Sequence, residues 1–179
     1  MFSVYSVSKS KEHSFSKIVV SSIELIEDEG VEGDAHRGIT VKHRSRVRRD
    51  PSQPNLRQDH LISHELIQER QAHRFNVAPA SLGANITTTV IDLLSLPKDT
   101  TLRFPTGAEI VITGLRNPCH QLDDYQKGLM AAVLDRDENG AIIRKAGVMA
   151  IVSRSGKVKP GDSIEVQLPP EPHRALEKV

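Results

Sequence analysis

Between Ser81 and Gly114 the chain reads NITTTVIDLLSL, TTLRF and EIVITGL, runs rich in β-branched residues and separated by PKD and PTG. β-Branched side chains lose rotamer freedom in a helix but pack well on a pleated surface. Pro and Gly preset the torsions of tight turns. Short strands at this spacing imply a barrel or sandwich, not a parallel sheet.

The flanking text fits that reading. FSVYSVSKS (2–10) alternates along its length as a strand does, and KIVVSSIELI (17–26) is a second strand stopped by EDEG. DHLIS (59–63) is a short strand whose last residue, Ser63, caps a helix HELIQERQAHRF, with Glu65 complementing the dipole in the first turn. Leu66, Ile67, Arg70 and Phe75 give that helix a modest apolar face. Leu122, Tyr125, Leu129 and Val133 recur at helical spacing and predict a second helix from about Leu122 to Leu134, ended by RDENG. Two strands around Ser155 and Gly156, with a Pro160–Gly161 turn, close the chain. The expectation is two helices among roughly eight strands, with residues 40–58 a long exposed loop. One domain is expected over 1–168, followed by a weakly ordered, Pro-rich tail over 169–179.

A chain of 179 residues buries about two thirds of its unfolded surface and needs no disulfide. It has one cysteine and so cannot form an internal one. Lys and Arg total 24 against 23 Asp and Glu, so no global field draws it to nucleic acid or membrane. The N-terminus lacks the apolar run of a signal peptide, and no stretch approaches the roughly 20 apolar residues of a membrane span. A cytoplasmic protein that does not engage membranes is expected.

Several segments carry chemistry. GVEGDAHRG (30–38) sets Asp34, His36 and Arg37 among glycines 30, 33 and 38, a pattern that suits either an anion-cradling loop or a plain tight turn. His60 and His64 have the spacing of two zinc ligands on a helix, but Leu61 stands where a zinc protease has Glu, and a Ser63 cap leaves His60 outside the helix. The run KHRSRVRR (42–49) is the place to look for nucleic acid. At 3% aromatic residues, stacking platforms are scarce, so nucleic acid is disfavoured and a phosphate-bearing small ligand explains the charge equally well. Cys119, between Pro118 and His120 with Arg116 close by, precedes the second helix, where a thiolate is favoured. Locally it is either such a thiolate or a small buried hydrophobe.

Taken in order, GVEGDAHRG (30–38), LRQDHLIS (56–63), LGANITT (82–88), RNPCHQL (116–122) and GVMAIVSRSGKVKPGDSIEV (147–166) resemble the MOSC domain. This family is related to the C-terminal part of molybdenum-cofactor sulfurases, and the resemblance is to its short, stand-alone bacterial members. It implies a mainly β fold, a closed β-barrel similar to that of pyruvate kinase with two to four short helices. It implies molybdenum cofactor (molybdopterin) as the ligand and places Cys119 at the family's characteristic cysteine. In relatives that reduce N-hydroxylated compounds that residue binds molybdenum; in sulfurase-type members it is proposed to carry sulfur. A family-level association with pyridoxal phosphate comes with the resemblance, although nothing here corresponds to the sulfurases' pyridoxal-phosphate-dependent half. Where the family usually has Glu in GENIT, this chain has Ala84.

From this resemblance, a molybdenum-dependent oxidoreductase acting on N-hydroxylated compounds is expected, with Cys119 as metal ligand. Asp34, His36 and His60 are candidates for proton delivery or substrate positioning. Gly33, Arg37, Arg57, Asn85 and Arg116 are candidates for cofactor binding. Expected partners are a small-molecule substrate and an electron-donor or sulfur-donor protein. The alternatives are a non-catalytic carrier using a Cys119 persulfide, and a binding module using the basic 42–49 segment.

Overall fold

The β-branched runs do form strands, thirteen of them, in a computed structural model that describes all 179 residues. In chain order come β1 (Ser3–Lys9), β2 (Ile18–Val20), β3 (Ile23–Ile26) and β4 (Gly30–Val31), followed by helix α1 (Arg44–Arg49). Strand β5 (Asp59–Ser63) runs directly into α2 (His64–Ala72), and β6 (Ile86–Thr89), β7 (Thr101–Arg103) and β8 (Glu109–Leu115) follow. Helices α3 (Gln121–Tyr125) and α4 (Leu129–Ala132) precede a β9 (Leu134–Arg136) and β10 (Ile142–Arg144) hairpin. The last strands are β11 (Val148–Arg154), β12 (Gly156–Val158) and β13 (Glu165–Gln167). No helix is long and apolar enough to cross a membrane.

Eight strands form one sheet in the order β13-β7-β8-β11-β5-β6-β1-β2, beside a three-stranded sheet β12-β3-β4. The closed barrel expected from the resemblance is therefore corrected: the large sheet is open, with β2 and β13 at its edges. The nearest approach to closure is a single bridge between Ser3 and Ser163. There Val4 exchanges backbone hydrogen bonds with Gly161 and Asp162, both 2.8 Å. That partner is a turn, and Gly161 at φ 88° carries the chain out of strand geometry, so no ladder continues. The sheet is also mixed. β5 and β6 pair in parallel through the α2 crossover, while the other pairs are antiparallel.

Three local expectations change. Residues 17–26 form two strands in different sheets, because the chain leaves β2 at Ser21 and Ser22 and pairs β3 with β12. The second helix is broken into α3 and α4, where Gln126 is extended and Gly128 takes φ 90°. Residues 40–58 contain α1, an excursion tied at its base by Val41 N–H to Gln53 O (2.9 Å). The Ser63 cap is as expected, its hydroxyl accepting from Leu66 N–H at 3.3 Å. The C-terminal tail lies against β8, with Leu115 N–H donating to Glu177 O (2.7 Å) and Val179 N–H to Leu115 O (3.1 Å).

Strand β5 organises the interior because Asp59, His60, Leu61 and Ile62 are all buried. Leu61 joins the larger apolar cluster with Ile86, Ile110, Ile112 and Val148. Ile62, on the opposite face, joins a second cluster with Ile67, Leu82, Leu122 and Leu129, contributed by α2, α3, α4 and a connecting loop. His60 shares the face of Ile62, and a pocket opens at that end of the strand.

Candidate functional site

The pocket has a volume of about 560 Å³, within the usual range for small-molecule sites. Lys17, Arg44, Arg48, Arg57 and Arg116 line it, as do His13, His36, His43, His60 and His120, and no Asp or Glu does. In a chain of net charge +1, this is a local concentration of positive potential. Cys119, the only thiol, also lines the pocket and is half-buried; its Sγ contacts Gln121 Oε1 at 3.5 Å.

Each element delivers its residue for a local reason. Pro118 ends β8's extension and turns the chain into α3, setting Cys119 at the pocket wall between Arg116 and His120. Arg116 donates to Leu82 O at 2.5 Å and lies 5.6 Å over the Phe15 ring, which fixes its guanidinium. Burial lowers the pKa of Arg116 and of Arg57 to about 10, and in both the charge of Cys119 acts the other way. Arg46 and Arg116 add like-charge repulsion at Arg57. The Nε of Arg57 and the Nδ1 of His43 are buried without a hydrogen-bond partner.

The GVEGDAHRG loop divides. His36 reaches the pocket. Asp34 stands behind it, its Oδ2 3.5 Å from His36 Nδ1 and its Oδ1 2.6 Å from Lys17 Nζ. Burial alone would raise the Asp34 pKa, but His36, Lys17 and the Ser10 N–H outweigh it and hold the carboxylate well below its usual range. Burial keeps His36 below the ordinary imidazole value despite Asp34. Arg37 turns away to Glu29 (Nε to Oε2, 2.6 Å), and Gly33 packs by Lys9. Neither lines the pocket.

His60 lines the pocket, and its Nε2 meets Ala146 O at 2.8 Å. Its close fit against the β11 side depends on Gly147, at φ 92°, where a Cβ would collide with Leu61 O. Burial, then the charge of Arg116, keeps the imidazole neutral. His64 instead stacks on Tyr5 at 3.7 Å, so the two histidines do not share a metal site, and no cluster of three His, Cys, Asp or Glu side chains suits one elsewhere. Asn85 lines the pocket while its amide ties strands together, accepting from His60 N–H (3.2 Å) and donating to Ser8 O (3.2 Å). Ala84 is buried in the second apolar cluster.

Of the residues singled out in the sequence, Cys119, His36, His60, Arg57, Asn85 and Arg116 thus come together around one space. The sequence reading missed Lys17 and His13, which only tertiary folding brings there, and gave His43, inside the basic run, no role of its own. Arg44 and Arg48 were visible as part of a basic run. Their i, i+4 spacing, one face of a helix, was the signal that they act together.

A sequence model of the MOSC domain matches residues 52–165. The chain belongs to the MOSC domain family. It is similar to YuaD of Bacillus subtilis (strain 168), a protein named for metal–sulfur cluster biosynthesis, at 32% identity over 148 residues covering 76% of each chain. The fold is that of the crystal structure of Bacillus subtilis YuaD, with a TM-score of 0.74 and 26% identity over 95% of this chain and 98% of that one. YiiM from Geobacillus stearothermophilus has the same fold at a TM-score of 0.64 and 13% identity, over 93% of this chain and 75% of that one. MOSC domains are associated with molybdenum-cofactor sulfurases. The matched segment holds Cys119, Arg57, His60, Asn85 and Arg116, whereas Lys17, His36 and α1 precede it.

Proposed function

We propose that this pocket binds a molybdenum–pterin cofactor with the Cys119 thiolate as a ligand to the metal, and that the protein reduces N-hydroxylated compounds. The observation that carries this reading is that the only thiol opens onto a pocket walled by five Lys and Arg side chains and no carboxylate. The wall suits an anionic group on a second count. Arg57 Nε and His43 Nδ1 are buried with no partner, an arrangement that costs free energy unless an acceptor or donor meets them. When bound, the cofactor supplies two-electron redox chemistry at its metal.

The chain's own residues have distinct tasks. Arg57 and Arg116 line the pocket beside Cys119 and complement anionic cofactor groups. Asn85 ties Ser8 of β1 to His60 of β5 beneath the site. Asp34 holds His36 through Nδ1, which leaves Nε2 as the proton-exchanging atom on a pocket residue. His60, engaged by Ala146, positions the wall. Reduction breaks the substrate N–O bond, takes up two electrons and two protons, forms N–H and releases water. The electrons come from a donor protein.

Molybdenum analysis and pterin fluorescence on protein from a cofactor-competent host test this directly. Wild-type protein is expected to carry both, and Cys119→Ala to lose the metal and fall to background activity. Wild-type protein free of molybdenum, or a Cys119→Ala variant with unchanged metal and activity, overturns it.

A second reading, a carrier that holds sulfur as a Cys119 persulfide, is favoured by the half-buried sulfur with no second thiol to resolve it. YuaD's name points the same way. It requires a sulfur-donor protein and an intact-mass increase of one sulfur atom, lost on reduction and absent from Cys119→Ala.

A further inference from the structure

The excursion over residues 39–56 combines unpaired charge with exposed apolar side chains. Lys42, Arg44, Arg46, Arg48 and Arg49 make no ion pair. The segment's one carboxylate, Asp50, is taken by Ser52, through its N–H (3.0 Å) and its hydroxyl (2.6 Å). Among the cations stand Ile39, Val47 and Leu56, which are 66%, 39% and 43% exposed. Short helices draw their stability from packing, yet α1 buries no side chain, so its outward face is unpartnered. A groove of about 480 Å³ runs between Thr40, Val41, Val47 and Pro51, with Arg44 and Arg48 on its wall. The same two arginines line the pocket of Cys119, so groove and pocket share a rim. The only aromatic ring of the segment, His43, is stacked on His36 at 4.5 Å, which leaves no outward platform for nucleic-acid bases.

We propose that the 39–56 excursion is the docking surface for the electron-donor protein, and that this donor is a small carrier with an acidic face around its redox centre. The inference rests on the reductase reading above and adds where, and by what chemistry, the donor is recognised. Apolar side chains ringed by polar ones are the anatomy of a protein interface. Unpaired cations of one sign steer an acidic partner to that surface and orient it there. Transient electron-transfer complexes bury less than about 1,200 Å² in total, so fewer residues are needed than the roughly 20–30 per side of a standard interface. A partner seated on the excursion stands against the shared rim, with its redox centre at the mouth of the Cys119 pocket. The carrier is the oxidised party, and its two electrons, delivered together or singly, are those that N–O cleavage consumes. The excursion is also anchored, by Val41 and Gln53 and by Asn55, whose amide donates to His36 O (2.8 Å) and Gly38 O (2.9 Å). Docking therefore does not have to order a loose loop first.

The test is calorimetric binding at low salt with two acidic carriers as probes, a bacterial flavodoxin and a [2Fe–2S] ferredoxin. At least one is expected to bind. Raising the salt from about 0.01 M to about 0.15 M shortens the screening length from about 30 Å to about 8 Å and should weaken that binding about tenfold. Arg46→Glu/Arg49→Glu, at two positions outside the Cys119 pocket, should weaken it by the same order through like-charge contact. Lys157→Glu/Lys159→Glu, in and just after β12, alters the net charge equally and should leave binding within about twofold. Val47→Ser should cost about threefold, because apolar contact is lost with no change of charge. Since α1 buries no side chain, its variants keep the core, and the salt series needs no substitution at all. Failure of both carriers to bind overturns the proposal, as does equal weakening by the two charge reversals. Tighter binding of an oligonucleotide or of anionic vesicles through the same arginines overturns it too, and assigns the excursion to that ligand. The titration needs no bound molybdenum, so docking by protein that never carries the metal would sink the cofactor reading and leave this surface standing. Molybdenum-loaded protein that binds neither carrier does the reverse.

Discussion

Asp34 and Asp59 are buried carboxyl groups in the field of the same ammonium, that of Lys17, and they are in opposite states. Asp34 has Lys17 at 2.6 Å, the N–H of Ser10 at 3.0 Å and that of His36 at 3.2 Å, and it is ionised. Asp59 is fully buried on β5, and neither carboxyl oxygen has a partner. Burial, with the negative charge of Asp34 adding to it and Lys17 opposing, pushes its pKa up to about 8. A cation in the neighbourhood does not by itself decide ionisation; direct contact with that cation and hydrogen bonds do. The one carboxylate that receives them stands behind a pocket residue, and the other is a neutral part of the core.

The strongest way to break this contrast is to remove the ionised member. Lys17 and Asp34 have side chains 4% and 0% exposed, so Asp34→Ala leaves a buried ammonium without its counter-ion. Denaturant unfolding should show a loss of about 3–5 kcal/mol. Adding Lys17→Met should recover much of it, because neither charge then needs solvating. A loss under about 1 kcal/mol would mean that water reaches Lys17, and the distinction between the two carboxyls would fall.

How far such a site can be read from sequence depends on what brings its members together. Cys119, with its proline, its neighbouring cation and the turn into a helix, was legible because those features are adjacent. So were the Ser63 cap, the α2 helix and the β-rich middle of the chain. The open sheet was not legible, because whether the ends of a twisted sheet meet depends on a turn near Gly161 pairing with β1 in place of a strand. Gly128 was visible but its left-handed torsion was not, so one helix was expected where α3 and α4 form. Asp59 drew no notice, since DHLIS alternates like any strand. It is paired with Ala150 on β11, a neighbour that only the register supplies.

The second largest effect is a pH dependence of opposite sign at the two sites. An unfolded aspartate loses its proton near 3.8, whereas folded Asp59 keeps it to about 8. Its contribution to stability is therefore complete below about pH 4 and is lost as pH rises through about 8, by up to about 1.4 kcal/mol per pH unit. Asp34, with its folded pKa depressed, contributes stability that is present above the unfolded value and lost as pH falls. Unfolding measured from pH 5 to 9 should show declining stability in wild-type protein and a much flatter curve in Asp59→Asn. An unchanged slope in that variant would place the titrating group elsewhere.

The smallest effect serves as the control that separates charge from scaffold. Ser63 caps α2 through its hydroxyl, and α2 is the crossover that makes β5 and β6 parallel and brings Leu66 and Ile67 into the cluster behind the pocket. Ser63→Ala leaves the Leu66 N–H without that acceptor and should cost about 1 kcal/mol. No titrating proton is involved, so the loss should be the same at pH 5 and pH 9, in contrast to both carboxyl variants. If the loss instead varied with pH, the start of α2 would be coupled to Asp59 four residues earlier on the same continuous segment. The protonated carboxyl would then belong to the scaffold of the crossover, and its contrast with Asp34 would be one of position in the fold as much as of hydrogen bonding.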